Sequence, residues 1–411
     1  MELPGRLRRR PVPNTIVWFG DSITFNGGRS DYSPTIYNGN GFWGWAQFLL
    51  GHALITLANL GVTGQQTAQM VARINDVLNY RPGWVHILAG TNDVNHDIPY
   101  GQIVQNLDYM LGVMEGQGVR AVLGTIPPNN SLTATQRLVL NQVNAWIRTQ
   151  GKARGNVIVV DYYAALVGPS SGQFAGSGFL LNSNDGTHPN ALGAYNMGVA
   201  LSNALKSAGM VGGYDLFADD ADTTNCLLYG NFVTGGTGSA PTGWNGSTPT
   251  NTGTVTYSRT ARTDLPNRSW QTLTLAPSSG GAATAMTFTD ANTRTGTFAV
   301  GDSVVGMLEC SISSLDQAPA SYYQAGVSMG IRALNVSAQV IGSADDLLFA
   351  SGSTSYPNQT LSNRAGVFRT PPLVIPAGTT QLSMVVTIAG GGTYSFDRAG
   401  VRNLSRYALQ S

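Results

Sequence analysis

Five residues in the first half of the chain have the types and places that acyl transfer needs. Ser22 follows the apolar run in "TIVWFGDSIT", Gly64 stands in "NLGVTG", Asn92 in "AGTND", and Asp185 and His188 in "NDGTHPN". A serine hydroxyl is a weak nucleophile until a base takes its proton, and an imidazole such as His188 does this near neutral pH. Asp185, three residues upstream in a Gly-containing turn, can accept the Nδ1 proton and fix the ring's tautomer. Attack on an ester puts negative charge on the carbonyl oxygen. The donors expected to meet it are the backbone N–H groups of Ser22 and Gly64 and the side-chain amide of Asn92, one such donor contributing about 3 kcal/mol.

These residues are useful only if the fold gathers them. Up to about Met210, short apolar runs alternate with amphipathic segments. The runs "TIVWFG" (15–20), "ITLANLG" (55–61), "WVHILAG" (84–90), "RAVLGTI" (120–126) and "NVIVVDY" (156–162) read as buried strands. Between and after them, "TAQMVARINDVLN" (67–79), "QIVQNLDYMLGVMEGQG" (102–118), "TATQRLVLNQVNAWIRTQG" (133–151) and "ALGAYNMGVALSNALKSAG" (191–209) space apolar residues at three and four, predicting helices. Alternating strands and helices imply a parallel sheet covered on both faces, with ligands at the carboxyl ends of the strands. Ser22, Gly64 and Asn92 each follow a predicted strand, and Asp185 and His188 precede the last helix.

The four blocks "FGDSIT", "NLGVTG", "GTND" and "DGTHPN", in this order over about 210 residues, resemble those of the SGNH (GDSL) hydrolase family. The resemblance implies a flavodoxin-like, three-layer α/β/α hydrolase domain and serine esterase or lipase activity without a metal or other cofactor. It matches Ser22 to the nucleophile, Asp185 and His188 to the rest of the triad, and Ser22, Gly64 and Asn92 to the oxyanion hole. The remaining histidines read otherwise: His86 as a core residue within a strand, His52 and His96 as exposed. "GPSSG" (168–172) matches the G-x-S-x-G formula, but no helix follows it at once and Pro169 crowds the turn.

After the acidic stretch around Asp215–Asp222 the pattern changes. Short alternating runs such as "TVTYSRT", "SWQTLTLA", "TAMTFTD", "SVVGMLECSIS" and "QLSMVVTIA" are separated by Gly, Pro, Asn and Ser, predicting an all-β sandwich. The expected division is a catalytic domain over 1–211, a linker over 212–225 and a β-domain over 226–411. Both ends of this half, "NCLLYGNFVTGG" and "TYSFDRAGVRNLS", resemble the first and last strands of carbohydrate-binding jelly-roll modules. Val233 follows Phe232 where such modules often carry an acidic residue, which puts a structural calcium site in question. Trp244, Trp270, Tyr322, Tyr323, Tyr356 and Tyr394 are candidates for stacking on sugar. A second Gly-Asp-Ser, Gly301-Asp302-Ser303, lies in this half, which contains no histidine, and reads as turn chemistry before a strand.

The long loop after Ser22 carries Tyr32, Tyr37 and Trp43, candidates for shaping a substrate site, while Trp43 and Trp45 also read as the start of a buried helix. With the β-half, this loop leads to an expected substrate: an O-acetylated poly- or oligosaccharide. A general short-chain esterase or lipase with a structural β-domain, and a virion or cell-surface glycan-adhesion protein, remain the alternatives. The net charge of +1 argues against a nucleic-acid partner. No window approaches the roughly 20 apolar residues of a membrane span. The basic start carries Pro11 and Pro13 where a signal peptide would be apolar, yet the low charged fraction of 11% suits an extracellular or virion-associated protein. Cys226 and Cys310 read equally as a disulfide or two buried thiols, and the oligomeric state is left open.

Overall fold

The apolar runs of the first half pair into one parallel sheet of β1 (Val12–Gly20), β2 (Ile55–Gly61), β3 (Pro82–Leu88), β4 (Arg120–Gly124) and β5 (Val157–Val160). The computed structural model describes residues 12–26, 41–167, 185–189, 191–210, 216–217, 222–230, 232, 236–249, 253–265, 268–276, 285–290, 292–315, 324–351, 364–389 and 391–407. The order across the sheet is β2-β1-β3-β4-β5, and each neighbouring pair runs parallel. This is the flavodoxin-like order, in which the chain steps from β1 to one side and then returns to the other. The carboxyl end of β1 therefore lies between those of β2 and β3.

The chain divides into two compact units, residues 1–28 with 54–210 and residues 29–53 with 211–411. Its helices are α1 (Ser22–Phe25), α2 (Phe42–Leu49), α3 (Thr67–Ala72), α4 (Ile74–Tyr80), α5 (Thr91–Asn95), α6 (Tyr100–Gly116), α7 (Ala134–Ala153), α8 (Tyr162–Leu166) and α9 (Ala191–Ser207). In the first unit, Val17, Phe19, Val85, Ile87, Ala121 and Leu123 bury one sheet face under Met70, Val77, Leu107, Met110, Val143 and Ile147. Trp18 and His86 lie on the other face, where the His86 and Tyr162 rings meet. No helix among the described residues is long and apolar enough to cross a membrane.

Three features of this half differ from the sequence expectation. The segment 67–79, periodic as one helix, is broken at Arg73, which ends α3 and starts α4. Helix α2 groups with the second unit: the Phe48 ring lies 5.0 Å from that of Phe368, and a Cβ on Gly366 would collide with Phe48. His52, expected to be exposed, is buried beside Asp346 at 3.2 Å. Its segment does not belong to the exposed rim of the first unit.

Among its described residues the second unit is antiparallel sheet apart from α2. Its strands are β6 (Trp244–Gly246), β7 (Thr254–Ala261), β8 (Ser269–Ala276), β9 (Ala285–Asp290), β10 (Ser303–Leu315), β11 (Gln324–Leu334), β12 (Val340–Ser351), β13 (Arg364–Arg369), β14 (Leu373–Val374), β15 (Gln381–Ala389) and β16 (Gly392–Asn403). One sheet has the order β13-β10-β16-β8-β7 with β14 against β10, and the other the order β12-β11-β15-β9-β6. The sheets meet through aromatic rings, Phe288 of one stacking near Phe396 of the other at 6.4 Å. Cys226 and Cys310 are buried free thiols.

At the edge of this core Arg262 and Asp397 are buried within a larger set of paired charges. The Arg262 guanidinium, 2% exposed, binds Asp264, Glu309 and Asp397, and Arg268 and Arg398 complete the pairs to Asp397 and Glu309. Removing Arg262 leaves Asp397 to Arg268 alone and Glu309 to Arg398 alone, a loss bounded above by the about 3–5 kcal/mol of a wholly unpaired buried charge. Arg262→Ala is therefore expected to lower stability to urea by up to that amount, and a loss under about 1 kcal/mol would contradict the view that Arg262 neutralises the cluster.

Candidate active site

Gly20, Asp21 and Ser22 turn the chain from β1 into α1. A Cβ at Gly20 would run into Thr24 Oγ1 and the Leu88 carbonyl oxygen, so this strand end tolerates no side chain. Asp21 caps α1, its Oδ1 accepting from Ile23 N at 2.9 Å. Ser22 opens the helix, where N–H groups have no acceptor within the helix. Its side chain is directed to a loop 166 residues away.

That loop precedes α9. Asp185 Oδ1 accepts from Thr187 N at 2.8 Å and His188 N at 2.7 Å, while its Oδ2 lies 2.7 Å from His188 Nδ1. With Nδ1 protonated towards Asp185, Nε2 is the acceptor for the Ser22 hydroxyl, 2.8 Å away. Burial works to raise the Asp185 carboxyl, but the His188 and Thr187 N–H groups and the His188 ring outweigh it and hold the carboxyl at about 2. Asp185 is thus a carboxylate across the working pH range, able to stabilise positive charge on the His188 ring. The loop is anchored from outside by Asn130 N, which donates to Gly186 O at 2.9 Å.

Gly64 and Asn92 flank Ser22 from the ends of β2 and β3. Gln65 N donates to Val62 O at 3.3 Å, closing a turn in which Gly64 has φ +78°, the left-handed backbone that glycine adopts without strain. Nothing lies within 4 Å of where a Gly64 Cβ would stand, so the need for glycine there is conformational. Asn92 Nδ2 donates to Gln65 O at 2.9 Å and approaches Asp21 Oδ2 at 3.5 Å. One amide hydrogen holds the loop of Gly64, and the other, on that long approach, can turn to a developing oxyanion.

Two buried carboxylates, Asp21 and Asp93, adjoin Ser22 and Asn92 in the chain. Burial pushes the Asp21 carboxyl up to about 6, with the Ile23 N–H and His188 pulling the other way. Burial also raises Asp93, against hydrogen bonds from the Thr67 N–H and hydroxyl. Asp93, Gln65 and Arg73 were not singled out in the sequence. Asp93 adjoins Asn92 in "GTND", and that adjacency was the available signal.

The other candidates lie elsewhere. His86 is fully buried, bonded through Nε2 to the Tyr162 hydroxyl at 2.7 Å, and burial lowers it to about 3. His96 is exposed at the end of α5, its Nδ1 2.7 Å from Asn92 O. Trp43 is buried in α2 of the second unit. Trp244 and Tyr394 are buried in the β-core, Trp244 stacking on Phe288 at 4.6 Å, whereas Trp270 is half-buried beneath Arg262. Tyr32, Tyr37, Tyr322, Tyr323, Tyr356 and "GPSSG" lie outside the described residues. Among the described residues, no group of three or more His, Cys, Asp and Glu side chains is arranged to hold a metal ion.

The geometry distinguishes the histidines by experiment. His188→Ala should lower kcat on p-nitrophenyl acetate by at least ~10³-fold, whereas His86→Ala should lower thermal stability and leave kcat within a few-fold. Equal losses in folded protein would overturn the assignment. Asp21 predicts a pH effect on stability. The unfolded chain releases this proton near pH 4, and the folded protein near pH 6. Stability contributed by the retained proton is full below pH 4 and declines as pH rises towards 6, by about 3 kcal/mol in all. Asp21→Asn should flatten the stability profile between pH 4 and 7, and an unchanged slope would show that Asp21 does not titrate there.

Residues 18–195 match the model of the GDSL-like lipase/acylhydrolase family. Among solved structures the chain is similar to a GDSL-like lipase from Bacteroides thetaiotaomicron, with 23% identity over 49% of this chain and 92% of that one, at a TM-score of 0.37. It is also similar to a catalytic mutant of an acetylxylan esterase from Geobacillus stearothermophilus, with 20% identity over 50% of this chain and 99% of that one, at a TM-score of 0.36. No curated protein matches the sequence. The chain therefore carries, over residues 18–195, a GDSL-like lipase/acylhydrolase domain.

Proposed function

We propose that the protein is a serine esterase that removes short acyl groups, above all O-acetyl, from a poly- or oligosaccharide. The observation that carries the chemistry is the continuous relay from Ser22 Oγ through His188 to Asp185, at 2.8 and 2.7 Å. Ser22 attacks the ester carbonyl while His188 Nε2 takes its proton. Charge on the carbonyl oxygen is met by the Ser22 and Gly64 N–H groups and the Asn92 amide. His188 then returns the proton to the leaving alcohol, the acyl group stays on Ser22, and water releases it by the same steps in reverse.

Exposure supports the choice of substrate. His188, which must reach the leaving alcohol, has a side chain 37% exposed, whereas Ser22 is 8% exposed. That asymmetry suits a bulky alcohol such as a glycan bearing a small acyl group. The antiparallel second unit supplies a surface on which a glycan could be held, with Trp270 as the half-buried aromatic among the described candidates. A general short-chain esterase is the second reading, favoured by the burial of Trp244 and Tyr394, which leaves neither ring free to stack on sugar.

Acetate release from acetylated xylan tests the proposal. Turnover should fall by ~10⁴-fold or more in Ser22→Ala, and p-nitrophenyl acetate should be cleaved faster than long-chain esters. Trp270→Ala should raise KM for the polymer and leave that for p-nitrophenyl acetate unchanged. Faster cleavage of long-chain esters would refute the deacetylase reading, and an unchanged polymer KM in Trp270→Ala would favour the general esterase.

A further inference from the structure

The Gly64 loop has little packing to hold it. Gly64 is exposed and no atom lies within 4 Å of its would-be Cβ, yet an oxyanion donor must be fixed to within a few tenths of an ångström. What fixes the loop lies beside it, at Gln65. The Gln65 carbonyl accepts from Asn92 Nδ2 at 2.9 Å, and the Gln65 side-chain oxygen accepts from Arg73 Nε at 2.6 Å.

Arg73 reaches this place because the chain breaks its helix there. The residue has φ −112° and ψ 22°, between α3 and α4, without a Gly or Pro to cause the break. From this corner its guanidinium lies 4.5 Å from the centre of the Phe19 ring. Its Nη2 donates to Leu60 O at 2.8 Å and to Gly20 O at 3.3 Å. Gly20 O also accepts from Val62 N at 3.0 Å. One planar group therefore joins the end of the Ser22 strand, the end of β2 and the residue after Gly64. Such a fork of fixed donors is peculiar to arginine, since lysine offers a single nitrogen.

We propose that Arg73 is a positioning residue for the oxyanion hole, tying the Gly64 loop to the ends of β1 and β2 so that the Gly64 N–H and the Asn92 amide face the carbonyl attacked by Ser22. The inference rests on the reading of Ser22, Gly64 and Asn92 given above. Arg73 touches no reacting atom. Its effect is on where the donors stand as charge develops, so it falls on kcat and spares ground-state binding.

The test is steady-state hydrolysis of p-nitrophenyl acetate by the full chain, with thermal unfolding of each variant. Arg73→Ala is expected to lower kcat by ~10²-fold with KM within about threefold of wild type, and Arg73→Lys by ~10-fold. Millimolar guanidinium should restore part of the rate to Arg73→Ala and none to Gln65→Ala. Gln65→Ala, which leaves the Arg73 bonds to Gly20 and Leu60 in place, should itself lose kcat, and the double variant should lose no more than Arg73→Ala alone. A folded Arg73→Ala with wild-type kcat, or with a loss confined to KM, overturns the proposal. If Arg73→Ala does not fold, Gln65→Ala decides, and wild-type kcat there overturns it. Ser22→Ala separates this from the underlying reading: activity near wild type in that variant sinks the serine mechanism, whereas its loss beside an Arg73→Ala of wild-type kcat sinks only the role of Arg73.

Discussion

The hydrogen bond from the Ser22 hydroxyl to His188 Nε2 closes a loop of 166 residues to 2.8 Å, and the first unit is arranged so that this closure is made. The strand order is what allows it. Because β1 lies between β2 and β3, its carboxyl end has a loop on each side, one carrying Gly64 and the other Asn92. Had the strands been laid down in simple succession, Ser22 would stand at an edge, with Gly64 beside it and Asn92 one strand farther off. His188 comes from the last crossover, ahead of α9, which packs beside β5 and α8. The proposed chemistry is thus a property of the topology as much as of the residues.

The strand ends were legible in the sequence because their requirements are local. Gly20 must be bare where α1 turns back over β1, Asp21 must cap, and Gly64 must take positive φ. Each demand falls on a residue type that can be read. The break at Arg73 was not legible. Apolar residues keep helical phase through 67–79, and only the three carbonyl partners of the guanidinium, from Gly20, Leu60 and Gln65, set the corner. Two of these are backbone atoms and one is the side-chain oxygen of an amide, none of which leaves a pattern. The destination of α2 was hidden for a related reason. "FWGWAQFL" is buried on nearly every side, so its composition announces burial without naming the partner. That partner is β13, more than 300 residues downstream. The same limit applies to Trp244 and Tyr394, since an aromatic residue on an alternating strand looks alike whether its face meets sugar or the opposite sheet.

The two Gly-Asp-Ser tripeptides separate cleanly in the structure. Gly301, with φ +85°, and Asp302 form the turn before β10, and Asp302 Oδ2 accepts from Asn403 Nδ2 and Ala299 N at 2.6 and 2.8 Å. Those bonds favour the charged form, and Asp302 lies below the usual carboxylate range, the Asn403 bond first among the causes. Asp21, in the same letters, is pushed up to about 6 by burial. Ser303 opens β10 opposite Val374 of β14, whereas Ser22 is aimed at an imidazole. Neighbours assign the roles, and the tripeptide alone assigns none.

The buried acids of the first unit show what the site gives up for its geometry. Asp21 and Asp93 are both raised by burial, so each makes the folded state less favourable than an exposed carboxylate would at neutral pH. A neutral residue of similar size would avoid that loss. It would also accept fewer hydrogen bonds, and those bonds hold the turn at Ser22 and the chain beyond Gly64. Asp21 takes the Ile23 N–H, which stiffens the turn that presents the Ser22 N–H. Asp93 takes the Thr67 N–H and hydroxyl, which pins the chain two residues beyond Gln65. The Gly64 loop is thereby held by Asn92 and Arg73 at Gln65 and by Asp93 at Thr67, while Gly64 itself stays bare towards substrate. Rigidity is supplied from the flanks, and the space over Gly64 is left open for the ester of the proposed reaction.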